Sequence, residues 1–342
     1  MTLNNREVVS RRDYGTISIP TNLVSHILCI IVAMALTVIA SIFVSPQSAT
    51  FNGFISLSLP FDWSVSLISL IINFAITLLL VVIISTIANR FSITTLLSLF
   101  PTLFFLMLQC CNPLLSLTLQ MGVVGAVMVL GFTYYLFEYY GAARVERVVF
   151  GSTLLMCATL LVWDKMLFFI PLFWIGLLQM NILTLRSFIA SLMAIATSII
   201  MYISIDYLGW INPDYIGAWH RIKDIISLAD YKVVSVESLF QMAYIIPVFL
   251  VVCIYNISML YSDSKDKIST KRYIVFLNTI FIFSVLMMLL NPIDKNEYLP
   301  IFNASSAILA ARYFNTIRSK AKLRFLLLFI LTYITIFIVW IW

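Results

Sequence analysis

The sequence predicts an all-α, polytopic membrane protein with about eleven transmembrane helices, a cytoplasmic N-terminus and an external C-terminus. Three observations carry that prediction. Of the 342 residues, 62% are hydrophobic and 11% are charged, where a soluble globular chain carries ~25% charge. The apolar residues come in long runs, many close to the ~20 residues a helix needs to cross hydrocarbon at ~1.5 Å each. The charges gather between the runs, with basic residues concentrated on one side of the predicted membrane.

The elements follow in order. Residues 1–21 form a polar segment with Arg6, Arg11 and Arg12, expected in the cytoplasm. The first apolar run, 22–44, is too long for a signal-peptide core and lacks a small-residue cleavage site, so it reads as an uncleaved anchor. Further runs cover 64–88, 92–110, 115–137, 148–163, 166–183, 187–208, 239–260, 273–291, 300–316 and 325–342. Together 22–342 make a single transmembrane helical domain. The faintest boundaries are the break at Asn112-Pro113 and the short run 300–316, which contains Asn303 and Arg312.

Orientation comes from the basic residues. With the N-terminus inside, Arg90, Arg144, Arg147, Arg186, Lys265, Lys267, Lys271, Arg272, Arg318, Lys320, Lys322 and Arg324 join the N-terminal arginines in the cytoplasm. Only Lys165, Arg221, Lys223, Lys232 and Lys295 fall outside, of 21 basic residues in all. This pattern accounts for the net charge of +6 by insertion and anionic lipid, and nucleic acid is not an expected partner. Carboxylates gather on the external side: Asp62, Asp164, Asp206, Asp214, Asp224, Asp230, Glu237, Asp294 and Glu297.

Two features stand out. The runs 148–163 and 166–183 form a tight hairpin whose tip is Asp164-Lys165, a charged pair at the edge of lipid. The longest polar stretch, 209–238, follows the breaker Asn212-Pro213 and places Trp219, Ile222, Ile225 and Ile226 on one helical side, with His220, Arg221, Lys223 and Asp224 on the other side or its edges. It reads as an external amphipathic helix on the membrane surface, with Trp210, Tyr215 and Tyr231 in the interfacial belt. Asp164 and Lys165 leave a helix about 100° apart, so at least one should point inward to an opposite charge on another helix end. Asp62, Asp206 and Asp294 are the expected partners for Lys165, and Arg221 and Lys223 for Asp164.

The candidate site is therefore an external polar group: Asp62, Asp164-Lys165, Asp206 and His220-Arg221-Lys223. Carboxylates for base work beside cations for phosphate suit the transfer of a sugar from a lipid phosphate. The competing reading is topology-bound, solvated or salt-bridged charge. Amides inside the runs, Asn73, Gln109, Gln120, Gln179, Asn181, Asn256 and Asn278, are expected to join helices by hydrogen bonds. The five cysteines lie in apolar runs without CxxC spacing and read as small core residues. Walker A, HExxH, GxSxG and GxGxxG motifs are absent, and two histidines make a His-based metal site a poor expectation.

The run GSTLLMCATLLVWDKMLFFIPLFWIGLLQMNILTLRSFIASLMAIATSIIMY resembles a multi-pass inner-membrane family of Bacteroidota known as a domain of unknown function. LPIFNASSAILAARYFNTIRSKAKLRFLLLFIL is similar to that family's last two helices. The resemblance, one of hydropathy and small–aromatic texture over the last two-thirds of the chain, implies a bacterial inner-membrane location and brings no catalytic residues. More distantly, the hairpin resembles the GT-C glycosyltransferases that use polyprenyl-phosphate sugars, with their pair of short helices, charged tip and basic turn, here Asp164-Lys165 and Arg186. That resemblance implies Asp62 as base, Asp164 as a second acid or ligand to a divalent metal ion, and Lys165, His220, Arg221 and Lys223 as phosphate binders. Such enzymes carry an acidic pair in a long first external loop; here Ser45 to Asp62 holds one carboxylate, Asp62. Two classes stay open: an envelope enzyme acting on lipid-linked glycan at the external face, or a non-enzymatic scaffold or lipid or solute carrier.

Overall fold

In lipid a backbone amide has no water to bond, so a spanning segment must satisfy itself, and long apolar runs become helices. The computed structural model describes residues 23–43, 67–94, 98–142, 144–207, 236–261, 267–291, 294–315 and 320–341. Every regular element among them is a helix. In chain order they are α1 (Leu23–Phe43), α2 (Leu67–Arg90), α3 (Phe100–Cys110), α4 (Pro113–Leu117), α5 (Met121–Glu138), α6 (Glu146–Leu160), a 3-10 turn (Asp164–Phe168), α7 (Phe169–Gln179), α8 (Leu185–Tyr207), α9 (Val236–Tyr261), α10 (Ile268–Leu290), α11 (Lys295–Asn315) and α12 (Lys320–Ile341).

Each of the eleven apolar runs contains a helix, but they are not equal. Seven helices, α1, α2, α5, α8, α9, α10 and α12, are long and apolar enough to cross a membrane. The remaining runs give α3 and α7 of 11 residues, α6 of 15, and α11, which has 21 residues but a lower mean hydropathy than the seven. An 11-residue helix reaches only ~16 Å, about half of a ~30 Å hydrocarbon core. Of the predicted polar segments, 1–21 and 209–235 lie outside the described residues, and 236–238 belong to the first turn of α9.

The axis of the bundle is α11. It packs against α3, α5, α9 and α10, with α2 and α4 also touching it. Every residue from Tyr298 to Ala311 is buried. The stretch Asn303-Ala304-Ser305-Ser306-Ala307 explains how so many neighbours fit: short side chains let helix backbones approach closely. Around it the outer helices turn large apolar residues away from the protein. Ile31, Ile42 and Phe43 of α1, Ile199 and Ile200 of α8, and Leu328 and Leu331 of α12 are all exposed.

The break at Asn112-Pro113 separates α3 from the short α4 and is buried. Asn112 Oδ1 accepts from Leu114 N (3.1 Å) and Pro113 opens the helix, a capped start in which the missing proline N–H costs nothing. The freed carbonyls are met by other helices. Asn73 Nδ2 donates to Leu115 O and Ser116 O, both at 2.9 Å, and Tyr244 Oη donates to Leu108 O. Three more amide contacts also join helices: Asn303 to Gln109 (3.4 Å), Gln179 to Thr279 (3.0 Å) and Asn256 to Asn278 (2.9 Å). Gln120 does not; its amide donates to Thr118, two residues away.

Charges mark the two ends of the bundle. At one end Arg90 meets Glu138 (2.6 Å), Arg272 donates to Gln179 O (2.9 Å) and Arg312 donates to Ile93 O. The opposite end carries the hairpin tip and the first turn of α11.

Candidate functional site

The hairpin tip is folded into the protein. After α6 the chain makes an extended step at Trp163 (φ −139°, ψ 101°) and then a 3-10 turn over Asp164–Phe168. A 3-10 turn is tighter than an α-helical one, and here it folds both charges into the protein. Asp164 is 0% exposed and Lys165 2%. An isolated ammonium so placed would be strongly disfavoured, so it needs partners.

Those partners come from the start of α11. Lys165 Nζ lies 2.7 Å from Asp294 Oδ2 and 2.9 Å from Glu297 Oε2. The same Glu297 oxygen accepts from Trp163 Nε1 at 2.6 Å. Asp294 Oδ2 also accepts from Asn291 Nδ2 (3.0 Å), and the Asp294 amide donates to Asn291 Oδ1 (3.4 Å). Glu297 sits in the first turn of α11, where the helix dipole favours a carboxylate. The ammonium lies 5.8 Å from the Tyr298 ring centre, and that ring lies 6.0 Å from the Trp163 ring. From α9, Gln241 Nε2 reaches Asn296 Oδ1 at 2.8 Å.

Two glycines of α5 make the approach possible. A Cβ on Gly122 would fall 1.7 Å from the carbonyl oxygen of Glu297, and one on Gly125 would fall 2.2 Å from the Trp163 ring. Any side chain at either position would push α5 off the tip.

Of the expected site residues, the structure brings Lys165 to Asp294, one of its three expected partners, and buries Asp164 beside it. Asp62, His220, Arg221 and Lys223 lie outside the described residues. The side chain of Asp206 is likewise outside them. The ammonium of Lys165, an expected phosphate binder, is held by two carboxylates. Sequence reasoning missed Glu297, Trp163, Asn291 and the two glycines. The available signal was Asp294 and Glu297 three residues apart at the head of an apolar run, where both fall on one helix face.

Among the described residues no group of three His, Cys, Asp or Glu side chains is arranged to hold a metal ion. A separate apolar pocket is lined by Tyr135, Val149, Ser152 and Phe173 and shares no residue with the charged cluster. No family model, curated protein or solved structure matches this chain.

Proposed function

We propose that this multi-pass membrane protein belongs to the inner membrane of a bacterial cell envelope, with the hairpin tip on the external side, and that it processes lipid-linked glycan there. The reaction class is GT-C-like: transfer of a sugar from a polyprenyl phosphate to an acceptor hydroxyl. One observation carries the reading. At the tip, a buried ammonium and two carboxylates are held in fixed geometry by Trp163, Asn291 and two glycines of α5. Ionisable groups so far inside a membrane protein are rare and are the default place to look for function. In this reading Lys165 orients carboxylates, Asp164 and Asp62 remain the candidate acids and bases, and His220, Arg221 and Lys223 hold the phosphate.

The test is chemical. Lipid-linked glycans extracted from a strain lacking the protein should change in amount or structure, and Asp164→Asn should fail to restore them. An unchanged glycan profile in the deletion strain would end this reading.

A second reading is favoured by the double pairing of Lys165, which by itself ties the hairpin to α11. In that case the protein is a non-enzymatic scaffold or a lipid or solute carrier, and the cluster is a clamp. Asp164→Asn would then lower thermal stability in detergent while complementation survives; loss of complementation at unchanged stability favours the enzyme.

A further inference from the structure

At the end of the bundle that carries Arg90 and Arg272, the turn from α5 into α6 lies against the end of α7, and Gly141 N donates to Met180 O (3.3 Å). An apolar groove opens there between the three helices. Val145, Val149, Phe173 and Leu177 form its buried wall, and Tyr135 is exposed along it. Ser152 also lines the groove and is 6% exposed, yet its Oγ makes no hydrogen bond among the described residues. Its neighbour Thr153 shows the usual arrangement in a helix, donating back to Val149 O (2.8 Å). The hydroxyl of Tyr139, another lining residue, likewise makes no described hydrogen bond. The rim of the groove is basic. Arg144 precedes the lining residue Val145, Arg147 precedes the lining residue Val148, and Arg186 follows the lining residue Ile182 by four positions. All three arginines are exposed, and none has an ion pair among the described residues. Of the carboxylates near them in sequence, Glu138 is taken by Arg90 (2.6 Å) and Glu146 remains, so the rim keeps a net positive charge. Insertion accounts for arginines at this end; it does not account for a groove with bare hydroxyls beneath them.

We propose that this groove binds an anionic phospholipid of the adjoining leaflet, with its phosphate on Arg144 and Arg147, its ester carbonyls on the hydroxyls of Ser152 and Tyr139, and an acyl chain along Val149, Phe173 and Leu177. Guanidinium groups match phosphate oxygens in charge and geometry. Basic pockets between membrane helices bind anionic head groups in this way. The hydroxyls are donors without a described acceptor, and an ester carbonyl is an acceptor without a donor. The depth order also fits. Ser152 lies five residues into α6 from Arg147, ~7.5 Å along the axis, so phosphate, ester and chain meet arginine, hydroxyl and apolar wall in turn. A zwitterionic lipid brings a cation that the rim repels. A free phosphate leaves the hydroxyls and the wall unused. The site lies at the opposite end of the bundle from the hairpin tip and does not depend on the glycan reading.

The experiment uses the full chain in a non-ionic detergent. Phosphatidylglycerol with a photoreactive diazirine on one acyl chain is added, the sample is illuminated, and cross-linked peptides are located by mass spectrometry. Label should concentrate in the segments 135–152 and 173–182. Unlabelled phosphatidylglycerol should compete, phosphatidylcholine with the same chains should need at least about tenfold more, and glycerol 3-phosphate should not compete. Arg144→Gln combined with Arg147→Gln should raise the competing concentration of phosphatidylglycerol by about thirtyfold. Both side chains are exposed, so the unfolding temperature without lipid should not change. Ser152→Ala removes a hydroxyl without a described protein partner, so a structural role predicts no effect on competition; the proposal predicts a loss of about fivefold. Label spread evenly over the lipid-facing helices would overturn the proposal, as would equal competition by phosphatidylcholine. Competition by glycerol 3-phosphate alone would replace it with a site for a soluble phosphate. Competition unchanged in either variant would also overturn it.

Discussion

The central helix α11 and the outer helix α8 have similar lengths, 21 and 23 residues, and opposite surroundings. α11 is poor in large apolar residues and is buried from Tyr298 to Ala311. α8 is rich in them, and most of its length is unburied. The difference reverses the habit of soluble proteins, where the most apolar helix lies innermost. In a bilayer, lipid is as apolar as leucine, so hydropathy reports contact with lipid and not depth in the protein. What draws a helix to the centre is smoothness and bonding: short side chains for close packing, and polar groups that find partners on neighbouring helices.

Substitutions put that contrast to the test, read as the unfolding temperature and denaturant midpoint of the full chain in detergent. The largest effect belongs to Lys165→Met. It leaves Asp294 and Glu297 facing each other with no cation between them, and removing one partner of a buried pair costs ~3–5 kcal/mol. A loss below ~1 kcal/mol would mean that the cluster is wet and that α11 is not clamped at the tip. Next comes Ser306→Leu in the middle of α11, where the serine is fully buried; overpacking should cost ~1–3 kcal/mol. If Ser306→Leu is neutral, close packing is not what places α11 at the axis. Asn73→Ala should cost ~1–3 kcal/mol by orphaning the carbonyls of Leu115 and Ser116. The smallest effect is expected at Ile200→Leu on the exposed face of α8, within ~0.5 kcal/mol, since one apolar side chain in lipid replaces another. A large loss there would reveal a protein partner on that face.

These comparisons also explain what was legible in the sequence. Hydropathy finds α8 and α12 easily because they face lipid. It renders 300–316 as the faintest run, although that run holds the best buried helix, because small and polar residues lower the same index that marks spans. The tip was legible as a charged pair between two apolar runs, and Asp294 was legible as a partner for Lys165. Glu297 was not, because its role depends on a 3-10 turn over Asp164–Phe168 and on the reach of Trp163, and neither leaves a pattern in composition. The glycines at 122 and 125 read as ordinary small residues of a membrane helix until the backbone of Glu297 and the ring of Trp163 are placed against them. The surface helix expected at 209–238 falls almost wholly outside the described residues and is untouched by these observations.

Fastening α11 at both ends limits how the bundle can move. One end is held to the tip by Lys165, the other to the backbone at Ile93 by Arg312. A slide of one helical turn, ~5.4 Å, would tear both attachments at once. The helix therefore behaves as an axle and not as a piston. Motion that opens this protein must come from the outer helices swinging or tilting around a fixed shaft, with the lipid-facing α1, α8 and α12 as the parts that travel.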